Sequence, residues 1–472
     1  NCRSMKSFGK YSSVFFIGIG GIGMSALARF FHGSGFRVAG YDRTFGPLIQ
    51  TLMAEGVEVF LDEAVAVIPE AFTDPATTLV VYTPAVPSDH EQLKWFSEKE
   101  FMVLKRSRVL GMITRDMRSV CVAGTHGKTT VSTLTAYLLY HSRCGTNAFL
   151  GGIAKDFGTN FLSNPQSDLV VLEADEFDRS FWQLTPHTAL ITSMDPDHLD
   201  IYGTSAEVRE GFAGFAARIR ENGFLLIKAG LPVSDDLAKG VSVFTYSMNE
   251  DADFRVFNIR YKEEKYSFDL KTPDGVIENF TSGMPGLINV ENAAAAIALS
   301  LISGAKTDEL KENLPHFTGI ARRFDVLINT PKLVFIDDYA HHPEEIRATL
   351  KSVHDAFPGR EVTGVFQPHL YSRTRDFADE FARVLDEELD HVILLPVYPA
   401  REEPLPGVES DMIARQLSEK KCRVVSKDEL VPFLEKKGAD VLITLGAGDI
   451  DRLVPLLRSW GEKKLLNSEG GV

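Results

Sequence analysis

The chain has 472 residues, of which 44% are hydrophobic and 24% charged, with a formal net charge of −15 at pH 7. Apolar material on that scale argues against a disordered chain, and the length suggests about three domains at roughly 150 residues each. The acidic balance argues against a nucleic-acid surface, which needs clustered Lys and Arg. No apolar run approaches the ~18–20 residues that cross a membrane, and the polar start up to Tyr11 carries no secretory pattern. Cys2, Cys121, Cys144 and Cys422 lie in separate segments without ligand spacing, so they read as reduced thiols of a cytoplasmic protein.

The first α/β unit, expected over 1–113, opens with Val14-Phe-Phe-Ile-Gly-Ile-Gly-Gly-Ile-Gly-Met-Ser25, a strand running into a glycine turn and a helix. The strand Phe36–Asp42 ends in an acid about 20 residues after the turn, as in a dinucleotide-type unit. Leu79–Tyr82 is a further buried strand. The spacing Gly18-x-Gly20-x-x-Gly23 has two readings: a diphosphate site made of N–H groups and a helix dipole, or a tight strand–helix packing turn.

The second unit, expected over 114–319, contains Val122-Ala-Gly-Thr-His-Gly-Lys-Thr-Thr130 between an apolar strand and the helical pattern Val131–Tyr140. A strand, a glycine turn and a helix N-terminus gather backbone N–H groups around an anion. Lys128 supplies a mobile positive charge for a β/γ-phosphate, and Thr129 a hydroxyl for Mg²⁺. Two residues separate Gly124 from Gly127, where the common nucleotide loop has four. ATP binding is the expectation. Strands follow at Asp168–Glu173, Thr188–Ser193 and Phe224–Lys228, then an alternating hairpin from Phe254 to Leu270 and a helix from Asn289 to Ser303 ended by Gly304. Glu173 and His198 follow strand ends, where ligands of open α/β sheets sit. With Thr129 they are candidate ligands of one or two divalent ions, and the imidazole makes tolerance of Mn²⁺ plausible. Neighbouring Asp175, Glu176, Asp195 and Asp197 are expected in solvated loops.

The third unit, expected over 320–472, has strands at Leu333–Asp338, Val362–Phe366, His391–Leu395 and Asp440–Thr444. A helix from about Glu344 stops at Pro358-Gly359, with His342 as its cap and Pro343 in its first turn. Arg322-Arg323 at the boundary either faces solvent or reaches a γ-phosphate as an electrophilic finger. His341, His342, His369 and Arg373 follow strand ends, positions that suit carboxylate recognition and amine handling. The expected fold class is α/β throughout: a Rossmann-like domain, a central ATPase-type domain with a mostly parallel sheet and a phosphate loop, and a second Rossmann-like domain.

From about Val14 to Leu453 the chain resembles the Mur ligase family of peptidoglycan synthesis. The likeness rests on Gly18-Ile-Gly-Gly-Ile-Gly-Met-Ser25, Gly124-Thr-His-Gly-Lys-Thr-Thr130, Glu173-Ala-Asp-Glu176, Asp197-His198, Arg322-Arg-Phe324, Asp337-Asp-Tyr-Ala-His-His-Pro343, Gln367-Pro-His-Leu-Tyr-Ser-Arg-Thr-Arg375 and Gly446-Ala-Gly-Asp-Ile450. The resemblance implies an ATP-dependent ligase that joins L-alanine to the lactyl carboxylate of UDP-N-acetylmuramate through an acyl phosphate. It implies a UDP-sugar site at Gly18, Gly20, Gly21, Gly23, Met24, Ser25 and Asp42. It places ATP at Gly124, Thr125, His126, Gly127, Lys128, Thr129, Thr130, Asn289, Asn292, Arg322 and Asp338, and metal at Thr129, Glu173 and His198. Lys128, Glu173, His198 and Arg322 would be catalytic, and Tyr339, His341 and Arg373 would lie near L-alanine. The family often has Arg where Leu370 stands, and His before the first asparagine, where this chain has Leu287-Ile288. Two other activities remain: a ligase that reattaches a recycled tripeptide to the same sugar nucleotide, and an NAD-dependent dehydrogenase, which would leave Lys128 and Thr129 without a task. A monomer or homodimer is expected.

Overall fold

The structure, a computed structural model, describes residues 6–195, 204–263, 265–400, 402–418 and 421–469. It divides into two units, Asn1–Met284 with Asn289–Thr318, and Pro285–Ile288 with Gly319–Val472. Together they carry three parallel-rich α/β sheets, as the alternation of elements implies.

The first unit holds two sheets. One comprises β1 (Ser13–Ile17), β2 (Arg37–Tyr41), β3 (Glu58–Phe60), β4 (Thr78–Tyr82) and β5 (Met102–Lys105), all parallel in the order β3-β2-β1-β4-β5. All five residues of β1 are buried, the pattern of a strand covered on both faces. From β1 the chain builds outward to β2 and β3, then returns to add β4 and β5 on the other side. The order therefore switches just beyond Ile17, where the glycine turn sits and where open α/β sheets place their ligands.

The second sheet has β6 (Arg118–Ala123), β7 (Asn147–Ala154), β8 (Thr159–Leu162), β9 (Leu169–Glu173), β10 (Thr188–Ile191), β11 (Phe224–Lys228), β12 (Ser242–Ser247), β13 (Phe254–Lys262), β14 (Lys265–Thr272) and β15 (Gly275–Thr281). Their order is β15-β14-β13-β12-β11-β10-β6-β9-β7-β8. The expected hairpin is β13–β14, and β15 extends it. The sequence pattern does not predict the β7–β8 pair, because Gly151 and Gly152 break the apolar run of β7. Parallel pairing sets Val122 beside Glu173 and Ala123 beside Ile191, so β6, β9 and β10 end side by side.

The helix Ile22–Gly33, which starts at the first glycine turn, packs on β7 and β8 of the second sheet. Phe30 meets Phe149 and Phe161 edge-on, at 5.2 and 6.0 Å between centroids. Fully buried Asn160 donates to Ile22 O and Ser25 Oγ and accepts from Arg29. A buried amide with both ends satisfied fixes the turn against the second sheet.

The second unit is a six-stranded sheet of β16 (Asp325–Asn329), β17 (Val334–Asp338), β18 (Val362–Phe366), β19 (His391–Leu394), β20 (Cys422–Val424) and β21 (Val441–Leu445). The order is β16-β17-β21-β18-β19-β20, with β16 antiparallel to β17 and the other pairs parallel. Strand residues alternate between faces. Val334, Ile336 and Phe366 pack with Ile346, Leu350 and Phe381, while Phe335, Val365 and Leu442 pack with Leu430, Leu457 and Trp460. Among the described residues no helix is long and apolar enough to cross a membrane, and Cys121, Cys144 and Cys422 are free thiols.

Candidate active site

The phosphate loop is shaped by two glycines that no other residue replaces without strain. Gly124 has φ +134°, and a Cβ there would stand 1.9 Å from Thr192 Oγ1. Gly127, at φ +79°, turns directly into the helix Lys128–Tyr140. The residues leaving β10 clamp the loop from beside it. Ser193 Oγ accepts from the His126 N–H at 2.9 Å, Thr192 Oγ1 donates to His126 O at 2.5 Å, and Thr125 Oγ1 donates to Asp195 O at 3.0 Å. Half-buried Thr130 lies in the first helical turn, whose unpaired N–H groups and dipole favour an anion.

Lys128 Nζ donates to Gly124 O at 2.7 Å and to Glu176 Oε1 at 2.8 Å. Burial works to lower its pKa, but the carboxylates of Glu176 and Glu173 outweigh burial and hold the ammonium above the ordinary lysine range. Glu176 is therefore not the solvated loop acid expected from its acidic neighbourhood: it is 3% exposed. The chain turns there into the 3-10 segment Phe177–Gln183, and the side chain folds under Lys128. Asp175 and Asp195, with side chains 44% and 63% exposed, do face solvent.

Thr129 Oγ1 donates to Glu173 Oε2 at 2.8 Å. Gly151 of β7 makes room for this pair, since a Cβ there would lie 2.0 Å from Glu173 Oε2 and 3.2 Å from Thr129 Oγ1. A hydroxyl and a carboxylate at the edge of a phosphate loop form an oxygen donor set that fits Mg²⁺, which keeps waters and takes phosphate oxygens for its other positions. His198 and Asp197 lie outside the described residues. Among the described residues no group of three or more His, Cys, Asp or Glu forms a metal cage. Asn292 Nδ2 donates to Asn289 Oδ1 at 3.1 Å, and Asn292 Oδ1 would stand 3.2 Å from a Cβ on Gly127, so this pair flanks the loop.

At the first glycine turn, the N–H groups of Gly18 and Ile19 donate to Tyr41 O at 2.8 and 2.9 Å. Asp42 accepts from Gly20 N–H at 2.7 Å and Thr44 N–H at 3.1 Å, so its carboxylate holds the turn. Ser25 is fully buried and donates to Ile22 O, which also makes it a shaping residue. Gly21, Gly23 and Met24 line a cavity of about 320 Å³ whose other wall includes Gly151, Glu173 and Asp175. The first glycine turn thus faces Glu173, the carboxylate that Thr129 of the second turn donates to. Arg106 also reaches this cavity. In the sequence it is one cation in the basic run Lys105-Arg-Ser-Arg108, with nothing local to mark it.

In the other unit, Arg322 (φ +64°) is neither solvent-facing nor free. Its guanidinium donates to Asp337 at 3.2 Å and Gly446 O at 2.6 Å, with Asp451 at 3.7 Å. Arg323 lies over the Tyr339 ring at 5.1 Å. Asp338 is an internal anchor, accepting from the Phe324 and Ala340 N–H groups at 2.6 and 2.8 Å. Burial pushes its carboxyl up to about 6. His342 caps the helix Pro343–Ala356, and Glu345 accepts both His341 N–H and His342 N–H. Burial keeps His341 below its ordinary value and hence neutral. Its Nδ1 faces two acceptors, Tyr339 O at 3.1 Å and Glu345 Oε2 at 3.2 Å, so Nδ1 carries the proton and Nε2 is the acceptor. His369 lies 5.8 Å from His341 and stacks on Tyr398 at 5.6 Å. Arg373 Nη1 is buried without a hydrogen-bond partner among the described residues, a donor waiting for an acceptor. Leu370 takes φ +69° at the start of the helix Tyr371–Glu388 and offers no charge.

Family models described as Mur ligase family catalytic domain, Mur ligase middle domain and Mur ligase glutamate ligase domain match residues 13–118, 122–300 and 322–448. The UDP-N-acetylmuramate–L-alanine ligase of Phocaeicola vulgatus is 49% identical over 456 residues, covering 96% of this chain and 98% of that protein. The protein of the same name from Porphyromonas gingivalis strain W83 is 49% identical over 443 residues, covering 93% and 97%. Among solved structures, the UDP-N-acetylmuramate–alanine ligase of Thermotoga maritima superposes with a TM-score of 0.78 at 26% identity, covering 95% of this chain and 99% of that one. The murein peptide ligase of Psychrobacter arcticus shares the fold, with a TM-score of 0.66 at 21% identity and coverage of 98% and 99%.

Proposed function

Because the chain belongs to the Mur ligase family, we propose that it joins L-alanine to the lactyl carboxylate of UDP-N-acetylmuramate at the expense of ATP, in peptidoglycan precursor synthesis. The observation that carries this reading is the Lys128–Thr129–Glu173 cluster, whose Glu173 lines a cavity together with a second, lysine-free glycine turn. One turn suits a nucleotide that is cleaved, the other a diphosphate that is only held. Residues 1–113, 114–319 and 320–472 would serve the UDP-sugar, ATP and the amino acid in turn. Free thiols and the absence of a membrane-spanning helix among the described residues suit a cytoplasmic enzyme.

In this scheme the loop N–H groups and Lys128 meet the β/γ-phosphates, Lys128 exchanging Glu176 for phosphate oxygen. Asn289 and Asn292 stand on the adenine side. Thr129 and Glu173, with His198 by resemblance, would hold Mg²⁺, which when bound supplies charge neutralisation and orientation of the γ-phosphate. A lactyl carboxylate oxygen attacks the γ-phosphorus and the bond to ADP breaks, giving an acyl phosphate. The amine of L-alanine attacks the acyl carbon, and inorganic phosphate departs from the tetrahedral intermediate with the proton that the amide nitrogen sheds. Neutral His341 accepts the ammonium proton at Nε2, which frees the nitrogen lone pair. Arg373 grips the alanine carboxylate in a fork. Arg322 acts as a brace of Gly446 and Asp337 rather than as a mobile finger.

Phosphate release, measured with ATP, Mg²⁺ and UDP-N-acetylmuramate, should require the sugar nucleotide and rise most with L-alanine. Glycine and L-serine should follow, with the L-alanyl-γ-D-glutamyl-diaminopimelate tripeptide last. Preference for the tripeptide would overturn the substrate assignment.

A further inference from the structure

Arg106 opens the helix Arg106–Asp116 directly after β5. Its guanidinium lies across Gly23, where a Cβ would stand 2.4 Å from Nη1 and 3.1 Å from Cζ. It therefore reaches the cavity only because that position of the turn has no side chain. The far wall of the cavity contains Glu173 and Asp175. The one ion pair Arg106 makes among the described residues is loose: Asp175 is 4.0 Å away, and the two side chains are 30% and 44% exposed.

The chemistry of the cavity demands a cation at this place. An acid that is to be phosphorylated must be brought up to a triphosphate, and the two anions repel each other. Lys128 is committed to the phosphate side, and Arg322 is bound within the other unit. The diphosphate of the sugar nucleotide has its own donors, the N–H groups at the start of the helix Ile22–Gly33. A carboxylate already sits on Arg106, weakly, in the form of Asp175.

We propose that Arg106 is the receptor for the lactyl carboxylate. Its fork takes the acid in place of Asp175, holds it toward the γ-phosphate, and keeps the acyl oxygen in position after transfer. The assignment rests on the function proposed above and adds to it the residue that distinguishes an acid-bearing sugar from a neutral one.

Isothermal titration with two ligands separates the possibilities. UDP-N-acetylmuramate carries the lactyl acid, and UDP-N-acetylglucosamine carries the same diphosphate without it. Arg106→Ala should weaken the first at least about tenfold, the scale of a charge-assisted bidentate pair, and the second less than about twofold. Arg106→Lys should fall between, because an ammonium lacks the fork. Arg108→Ala, an exposed arginine on the same helix, should bind both ligands as wild type does. With L-alanine and ATP, Arg106→Ala should raise KM for UDP-N-acetylmuramate and lower kcat, while its thermal midpoint stays near that of wild type. Equal losses for both ligands would make Arg106 a diphosphate residue and overturn the proposal, as would unchanged affinity for both. Failure of the wild-type protein to bind UDP-N-acetylmuramate would instead strike the functional reading itself.

Discussion

Replacing Lys128 by Met removes the cation of the phosphate loop and also strands the carboxylate that faces it. The side chains of Lys128 and Glu176 are 14% and 4% exposed and stand 2.8 Å apart. Breaking such a buried pair from one side costs about 3–5 kcal/mol, a large part of the ~5–15 kcal/mol that holds a domain folded. Lys128→Met should therefore unfold at a markedly lower urea concentration than wild type. Glu176→Gln alone leaves the ammonium with Gly124 O and Thr125 O at 2.7 and 3.3 Å, so it should be milder. The double variant Lys128→Met/Glu176→Gln holds no stranded charge and should recover most of the lost stability. Activity should not return with it. Losing one group that stabilises charge in the transferring phosphoryl typically costs about 10²–10³-fold in kcat. Urea unfolding reads the first effect, and coupled phosphate release with UDP-N-acetylmuramate and L-alanine reads the second. If the double variant turns over within about tenfold of wild type, ~1.4 kcal/mol of barrier, the single variant's defect was one of folding and Lys128 is not the phosphoryl cation.

Gly151→Ala places a methyl 2.0 Å from Glu173 Oε2 without removing any polar group. Displacing a metal-supporting carboxylate should raise the Mg²⁺ concentration for half-maximal rate by about 10–100-fold with little change in thermal midpoint, and superimposable Mg²⁺ titrations would remove Glu173 from the metal site. Asp338 tests the electrostatics of the other unit. Its carboxyl is raised from 3.8 to about 6, so the folded protein holds this proton more tightly than the unfolded chain does. The stabilisation is complete below about pH 4 and is lost as pH rises through 6, a change of about 3 kcal/mol at 1.36 kcal/mol per unit. In urea titrations the difference in unfolding free energy, wild type minus Asp338→Asn, should fall by about 2.4 kcal/mol of that total between pH 4 and 7. A difference that stays flat contradicts the burial argument.

The features readable from sequence are those whose cause is local. Val122 to Thr130 spells strand, turn and helix in contiguous residues, and both of its glycines take the positive φ that the loop requires. Glu173 was legible because a strand end in a parallel sheet points to the ligand edge, and register sets it beside Val122. Other features depend on what the chain meets elsewhere in the fold. Arg106 gains its role from the missing side chain at Gly23, 83 positions earlier in the chain. Glu176 stands in an acidic run that resembles a solvated loop until Lys128 is folded against it. The strand β7 was hidden because Gly151 must be small to leave room for Glu173, and glycine weakens the strand signal. The two readings of Arg322 were separable only by its partners Asp337 and Gly446, which the sheet of its own unit supplies.

Oxygen-18 in both carboxyl positions of the lactyl group follows the transferred atom directly. If ATP phosphorylates that carboxylate and the amine then expels phosphate, each turnover leaves one labelled oxygen in the new amide and delivers the other to inorganic phosphate, both readable by mass spectrometry. Inorganic phosphate free of label, released alongside normal product, would contradict phosphoryl transfer to the sugar-borne acid.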